Sequence, residues 1–148
     1  MILLIGLLFL VLFTFLIAAA SGMVYMLLDI PSFMIILVPL IFFLVITKSG
    51  KTITNYIKSS FKKNYEYSIA ELESISMAAK HSAKITLATG FFGFIIGIIG
   101  MLMRLDDPQT IGPMLAVGLL TMLYSIGVGF FVMFPLYVWA ENRKLNHS

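Results

Sequence analysis

Cysteine is absent from the 148 residues. That excludes disulfides, thiol catalysis and cysteine-based metal sites, and it leaves the compartment open. Histidine occurs twice, at His81 and His147, so a histidine metal site within one chain is not expected. Charged residues make up 11% of the chain against 60% hydrophobic ones, more apolar surface than a soluble domain of this size can bury. Apart from Asp29, the charges are segregated between Lys48 and Lys84, at residues 104–107 and after Trp139. The apolar stretches between them are of membrane-crossing length. The chain therefore reads as an all-α, polytopic integral membrane protein.

Hydropathy places four transmembrane helices, over residues 2–28, 33–47, 85–103 and 111–138. Residues 1–20 resemble a signal peptide ending near Ala18-Ala19-Ala20-Ser21. No positive segment precedes that apolar run, so a retained membrane helix is expected. Asp29-Ile30-Pro31-Ser32 is a short link. Pro31 suits a first helical turn, and Asp29 or Ser32 can cap it. The first two spans should therefore form a tight transmembrane hairpin over residues 1–47. The second, with Pro39 inside, is short for a full crossing. Residues 48–84 are the one sizeable polar region. Residues 65–83 within it carry helix formers with apolar positions at mixed three and four spacing. A short cytoplasmic amphipathic helix is expected there, running straight into the third span. Residues 85–138 form the second transmembrane pair, and residues 139–148 a tail.

The basic residues other than Arg104 fall in residues 48–84 and in the tail, while the two short turns are acidic or neutral. By the positive-inside rule both termini and the polar region face the cytoplasm. The pI near 9.2 then reflects lysines meeting anionic membrane lipids rather than a nucleic-acid partner. Tyr137 and Trp139 read as an aromatic belt at the inner interface, and Lys62-Lys63 as a solvated or lipid-facing pair. His81 reads as a surface residue.

None of the four spans contains Asp, Glu, Lys, Arg or His. A proton relay or ion pump normally needs an ionisable group at membrane depth. Either this chain does no ion chemistry, or a partner supplies the acid. No nucleophile–base pair or metal cluster is visible, so an enzyme is not expected. What the spans do carry is small and hydroxylated. Gly90, Gly93, Gly97 and Gly100 share one face of the third span, continued by Thr86 and Thr89. Gly118, Thr121, Ser125 and Gly129 form a stripe on the fourth. Such stripes let helices approach closely, so these two should pack on each other or on a third helix. The glycines can serve bundle packing alone, and the Thr121 hydroxyl can instead bond back to its own helix. Pro135 should kink the inner end of the fourth helix.

Several of these motifs belong together. Leu105-Asp106-Asp107-Pro108, Ile111-Gly112-Pro113-Met114-Leu115-Ala116-Val117, Leu119-Leu120-Thr121, Leu123-Tyr124 and Pro135 resemble the last helix of flagellar stator A-subunits. Those proteins form a branch of the MotA/TolQ/ExbB proton-channel family. Asp29-Ile30-Pro31-Ser32 is similar to the start of that branch's second helix, and Gly90-Phe91-Phe92-Gly93 with Gly97 to its third. The resemblance implies an ion-driven motor of the bacterial inner membrane. It implies a homopentamer of A-type subunits around a dimer of single-span partners of the MotB/ExbD/TolR type. Each partner carries a membrane aspartate that takes and releases the ion, and ion flow is thought to turn the ring.

By motif, the ion-pathway residues would be Thr121, nearest the partner's aspartate, with Ser125 and Thr89, and Pro135 at the cytoplasmic end. Gly90, Gly93, Gly97 and Gly118, with Phe94, would pack against the partner helix. Leu87 stands where the family usually has proline. Phe94 stands where a threonine goes with sodium use, which favours H+ over Na+ as the transported ion. No cofactor is implied. The rotor-gripping cytoplasmic domain of the flagellar branch is reduced here to residues 48–84. A non-conducting membrane scaffold of the same fold is the alternative, and Leu87 and Phe94 favour it.

Overall fold

A computed structural model describes residues 2–22, 29–62 and 65–146. The end of the first expected span, residues 23–28, lies outside them, as do Lys63 and His147. Among the described residues the regular structure is entirely helical: α1 (Ile2–Ser21), α2 (Ile30–Ile46), α3 (Ser49–Ser60), α4 (Ile69–Leu102), α5 (Pro108–Ile126), a π-helical segment (Gly127–Met133) and α6 (Phe134–Leu145). Three stretches are long and apolar enough to cross a membrane: α1, α4 and the continuous run from α5 through α6. A fourth crossing exists if α2 and α3, which meet at 95°, count as one bent span. The chain is thus an all-α polytopic membrane protein.

Local chemistry sets where the helices start. The Asp29 carboxylate accepts the Ser32 N–H at 2.9 Å, and Pro31 occupies the first turn, where a missing N–H leaves nothing unpaired. The second helix therefore starts at Ile30, three residues before the expected Phe33, and Asp29 rather than Ser32 is its cap. At 17 residues it spans about 26 Å, short of the roughly 30 Å hydrocarbon core. It stops where Lys48 takes a left-handed backbone (φ 56°), and α3 leaves at nearly a right angle.

Ser68 opens α4 with a capping box. Its hydroxyl accepts the Glu71 N–H, and the Glu71 carboxylate accepts the Ser68 N–H at 2.9 Å. The helix begins there and not at Tyr65, because Tyr65–Tyr67 precede the cap as non-helical chain. As expected, the amphipathic helix and the third span are one continuous helix. Its 34 residues amount to about 51 Å, longer than the roughly 30 Å hydrocarbon core, so its polar N-terminal part projects beyond the bilayer.

Two sequence expectations change in the assembled fold. The first two membrane helices do not form a packed hairpin. Among the described residues α1 rests on the π segment and α6, while α2 rests on α4, α5 and α3. Pro135 also does not act as a simple kink. The helix widens to π geometry just before it, and the Phe134 N–H reaches back five residues to the Gly129 carbonyl. Pro135 has no N–H for the Phe131 carbonyl, its α-helical partner four residues back. That carbonyl faces Gly6 of α1, where any Cβ would overlap it. A glycine Cα–H there shields the carbonyl from lipid. The aromatic rings of Phe9 and Phe13 then close over Phe131, with centroids 5.5 and 6.1 Å away.

Candidate functional site

The small-residue stripes of α4 and α5 meet turn by turn. A Cβ on Gly90 would overlap the Ser125 side chain, and one on Gly93 would meet the Thr121 methyl at 2.5 Å. On Gly97 it would meet the Gly118 Cα at 2.8 Å, and on Gly100 the Met114 sulfur at 3.4 Å. Backbone therefore approaches backbone as closely as covalent geometry permits. Lipid tails offer no hydrophobic drive for helix association, so this close fit supplies the dispersion contact that holds the pair. The pairing continues toward the N-terminal part of α4: Gly129 sits against Leu87, and Ala83 packs with Val132 and Met133.

The helix that Gly90, Gly93, Gly97 and Gly118 admit is thus this chain's own. In the single chain that face is occupied by the α4–α5 contact. Phe94 flanks the same contact, its carbonyl lying 3.3 Å from where a Gly118 Cβ would be.

The hydroxyls of the seam are satisfied locally. Thr121 is fully buried and donates to the Val117 carbonyl at 2.8 Å. Ser125 is 1% exposed and donates to Met122 at 2.8 Å. Thr86 and Thr89 donate to Ser82 and Ile85, each at 2.8 Å. All four bond their own helix, so the bonds that link helices come from elsewhere. Ser32 of α2, fully buried, donates across to the Val117 carbonyl at 3.1 Å. That carbonyl therefore accepts from the Ser32 and Thr121 hydroxyls in addition to its place in the backbone ladder of α5. Nearby, the Asp29 N–H donates to the Tyr124 hydroxyl at 3.2 Å. Sequence reading treated Ser32 only as a possible cap. Its position one turn after the Asp29 cap, on the face α2 turns inward, is the signal that could have marked it. Ser82 is buried with no hydrogen-bond partner among the described residues.

The lysine-rich end of the bundle is built differently. Tyr56 of α3, Ile75 and Ala79 of α4, and Leu136 and Ala140 of α6 form a buried cluster with Leu3, Tyr67 and Trp139 at its edge. The Tyr56 and Tyr67 rings lie 5.2 and 5.3 Å from Trp139. Burial raises the Tyr56 hydroxyl above its ordinary pKa. Glu141 of α6 accepts from Ser76 of α4 and from Lys144. The Ser76 hydrogen bond, aided by the two lysines Lys144 and Lys80, holds the Glu141 carboxyl below its usual range. Glu71 is lowered as well, first by the Ser68 N–H of its capping box. Lys80 lies over the Tyr137 ring at 5.6 Å and Arg143 over Trp139 at 5.7 Å, cations on aromatics near the C-terminal end of the last helix. His81 is exposed.

Comparison with known proteins aligns with this arrangement. The model of the MotA/TolQ/ExbB proton channel family matches residues 40–146, which is the end of α2 and every helix after it. Over 49 residues, 33% of this chain and 19% of the relative, the chain is 45% identical to the chemotaxis protein PomA of Vibrio alginolyticus. Over 56 residues, 38% of this chain and 22% of the relative, it is 43% identical to motility protein A of Cereibacter sphaeroides. The aligned segments span about a fifth of the length of these relatives.

Proposed function

The chain belongs to the MotA/TolQ/ExbB proton channel family, and on that premise we propose that it is the A-type subunit of an ion-driven motor. It forms a ring around a single-span partner that carries the membrane acid, and it converts ion flow into mechanical work. The observation that carries this reading is the absence of Asp, Glu, Lys, Arg and His from all four expected spans. A family that moves ions across a membrane needs an ionisable group at depth, and in this chain it must come from another subunit. In this reading the ring is a homopentamer around a partner dimer. It lies in the bacterial inner membrane with the lysine-rich side and both termini in the cytoplasm. The transported ion is H+, with Phe94 in place of the threonine that accompanies Na+.

Co-purification with the products of neighbouring genes tests the reading. A single-span protein with a membrane aspartate or glutamate should come down with the chain. A chain that purifies alone, or with an unrelated protein, overturns it. Within the complex, the ion passes beside the α4–α5 pair, with Thr121 its nearest hydroxyl, Ser125 and Thr89 alongside and Pro135 at the inner end. Thr121→Val keeps the shape and removes the hydroxyl. Proton flux in proteoliposomes should fall with assembly intact, and unchanged flux confines Thr121 to the seam.

The second reading is a non-conducting scaffold subunit of the same fold. Its specific support is that Thr89, Thr121 and Ser125 each bond their own helix, leaving no hydroxyl hydrogen aimed outward. Conductance of the reconstituted complex separates the two.

A further inference from the structure

The cytoplasmic cluster does not close completely. Beside it lies a cavity of about 530 Å³ walled by Tyr56, Tyr67 and Trp139, with Lys62 and Arg143 among its lining cations and Glu66 its one acid. The cavity is of a size that takes a small ligand or headgroup. Neither Lys62 nor Arg143 is in an ion pair among the described residues; each instead rests over a ring, Lys62 over Tyr65 at 5.9 Å and Arg143 over Trp139 at 5.7 Å. Two cations and one carboxylate leave the lining net positive.

The position of the cavity indicates what enters it. Ile2, the first residue of α1, lines it, as does Trp139, one residue past the fourth expected span. Its floor is α3, which leaves α2 at 95° and so runs along the membrane plane when α2 crosses the bilayer. Lys51, Lys58 and Lys62 are exposed on one side of α3 and its C-terminal end. No acidic residue occurs between Asp29 and Glu66. Phe61, beside Lys62, is 71% exposed, an apolar anchor suited to an interfacial helix. An aromatic and cationic cavity at that depth, reached along a basic face, complements a phosphodiester joined to acyl chains.

The geometry points to a binding site for the headgroup of an anionic phospholipid of the cytoplasmic leaflet. Lys62 and Arg143 receive the phosphate, and Tyr56, Tyr67 and Trp139 hold the glycerol end. Seating the lipid joins α3 to α6 and steadies the cytoplasmic end of the bundle. This inference does not rest on the motor reading, since it needs only the membrane setting and the cavity.

Trp139 is the single tryptophan, so its fluorescence reports the site alone. The purified chain is placed in bilayers containing equal parts of phosphatidylglycerol and phosphatidylcholine, with brominated, quenching acyl chains on one lipid or the other. Brominated phosphatidylglycerol should quench Trp139 more strongly. The derived preference should be about five-fold or more, the factor a single basic side chain confers at an anionic surface. The paired substitution Lys62→Gln with Arg143→Gln should abolish that preference, and Arg104→Gln, at the opposite turn, should leave it. Helicity and gel-filtration behaviour show that the paired variant folds. Should it not fold, Arg143→Gln alone must lower the preference. Equal quenching by the two lipids in the native chain, or a preference that survives the substitutions, overturns the inference. Glycerol phosphate at about 10 mM, well above a typical ligand-site dissociation constant, is the remaining arm. If it removes the preference, the site serves a soluble phosphate ester and the lipid assignment fails.

Discussion

The two ends of the bundle hold their helices together by opposite means. In the membrane, α4 and α5 are joined by what they lack: Gly90, Gly93, Gly97 and Gly118 remove side chains so that backbones touch. At the lysine-rich end, α3, α4 and α6 are joined by large rings, with Tyr56 3% exposed against Leu136 and Ala140. The difference follows the solvent. Where lipid surrounds the helices, moving a leucine from lipid to protein gains little, and only closer approach increases contact. Where water is near, burying an aromatic ring carries the full hydrophobic gain. One chain thus uses two packing rules, and the change falls near Ala83, where the small residues facing α4 give way to Val132, Met133 and Leu136.

Substitutions that exchange the rules should break the bundle, and the lysine-rich end should show the larger effect. Tyr56→Ala removes a ring packed between three helices and should lower stability by about 3–5 kcal/mol, measured by denaturant unfolding in micelles followed by circular dichroism. A loss under about 1 kcal/mol would mean that lipid, and not the cluster, holds this end. In the seam, Gly90→Ala forces a methyl into Ser125 and should lose about 1–3 kcal/mol. Adding Ser125→Gly should restore most of it, because the second change vacates the space the first one fills. A double variant no better than the single one would show that the pair does not meet as described.

Smaller effects sharpen the same contrast. Glu141 has a folded pKa below its ordinary 4.5, so its contribution is complete above that pH. It is lost as pH falls through the lower folded value. Glu141→Gln should therefore be less stable than the native chain at neutral pH, by under about 1 kcal/mol because the group is partly exposed. The two should converge in acid, and a gap that widens on acidification would contradict the assigned hydrogen bonds. Smallest of all, Ser125→Ala removes a hydroxyl that bonds its own helix, and should change stability by about 0.6 kcal/mol or less.

Much of the fold is legible in the linear chain, and the reason differs from place to place. Charge segregation marks the spans, since desolvating a charge is costly in any arrangement. The start of α2 follows from Asp29 and Pro31, within four residues of each other. The unbroken α4 follows from the capping box at Ser68 and a run without proline from Ile69 to Leu102. The sequence is less informative where a residue relieves a problem created far away. Nothing near Gly6 announces that it answers Pro135, because the carbonyl it meets belongs to a helix more than a hundred positions on. Ser32 likewise reads as a cap until α5 brings the Val117 carbonyl beside it.

The candidate site divides along the same line. The stripes at Gly90, Gly93, Thr121 and Ser125 are visible by periodicity, which establishes that a close neighbour exists on that face. It does not name the neighbour. A missing side chain is complementary to any backbone of the right shape, so one sequence pattern serves a partner helix and the chain's own α5 equally.

What the sequence by itself determined is the membrane setting, the helical class, and the lack of an acid in its spans. Each depends on transfer energies of single residues, which sum without reference to neighbours. Only the tertiary structure decided that α5 fills the glycine face, that α1 and α2 dock apart, and that Tyr56, Tyr67 and Trp139 wall a cavity. Those outcomes depend on which surfaces fit one another, a property of pairs of helices and not of any segment alone.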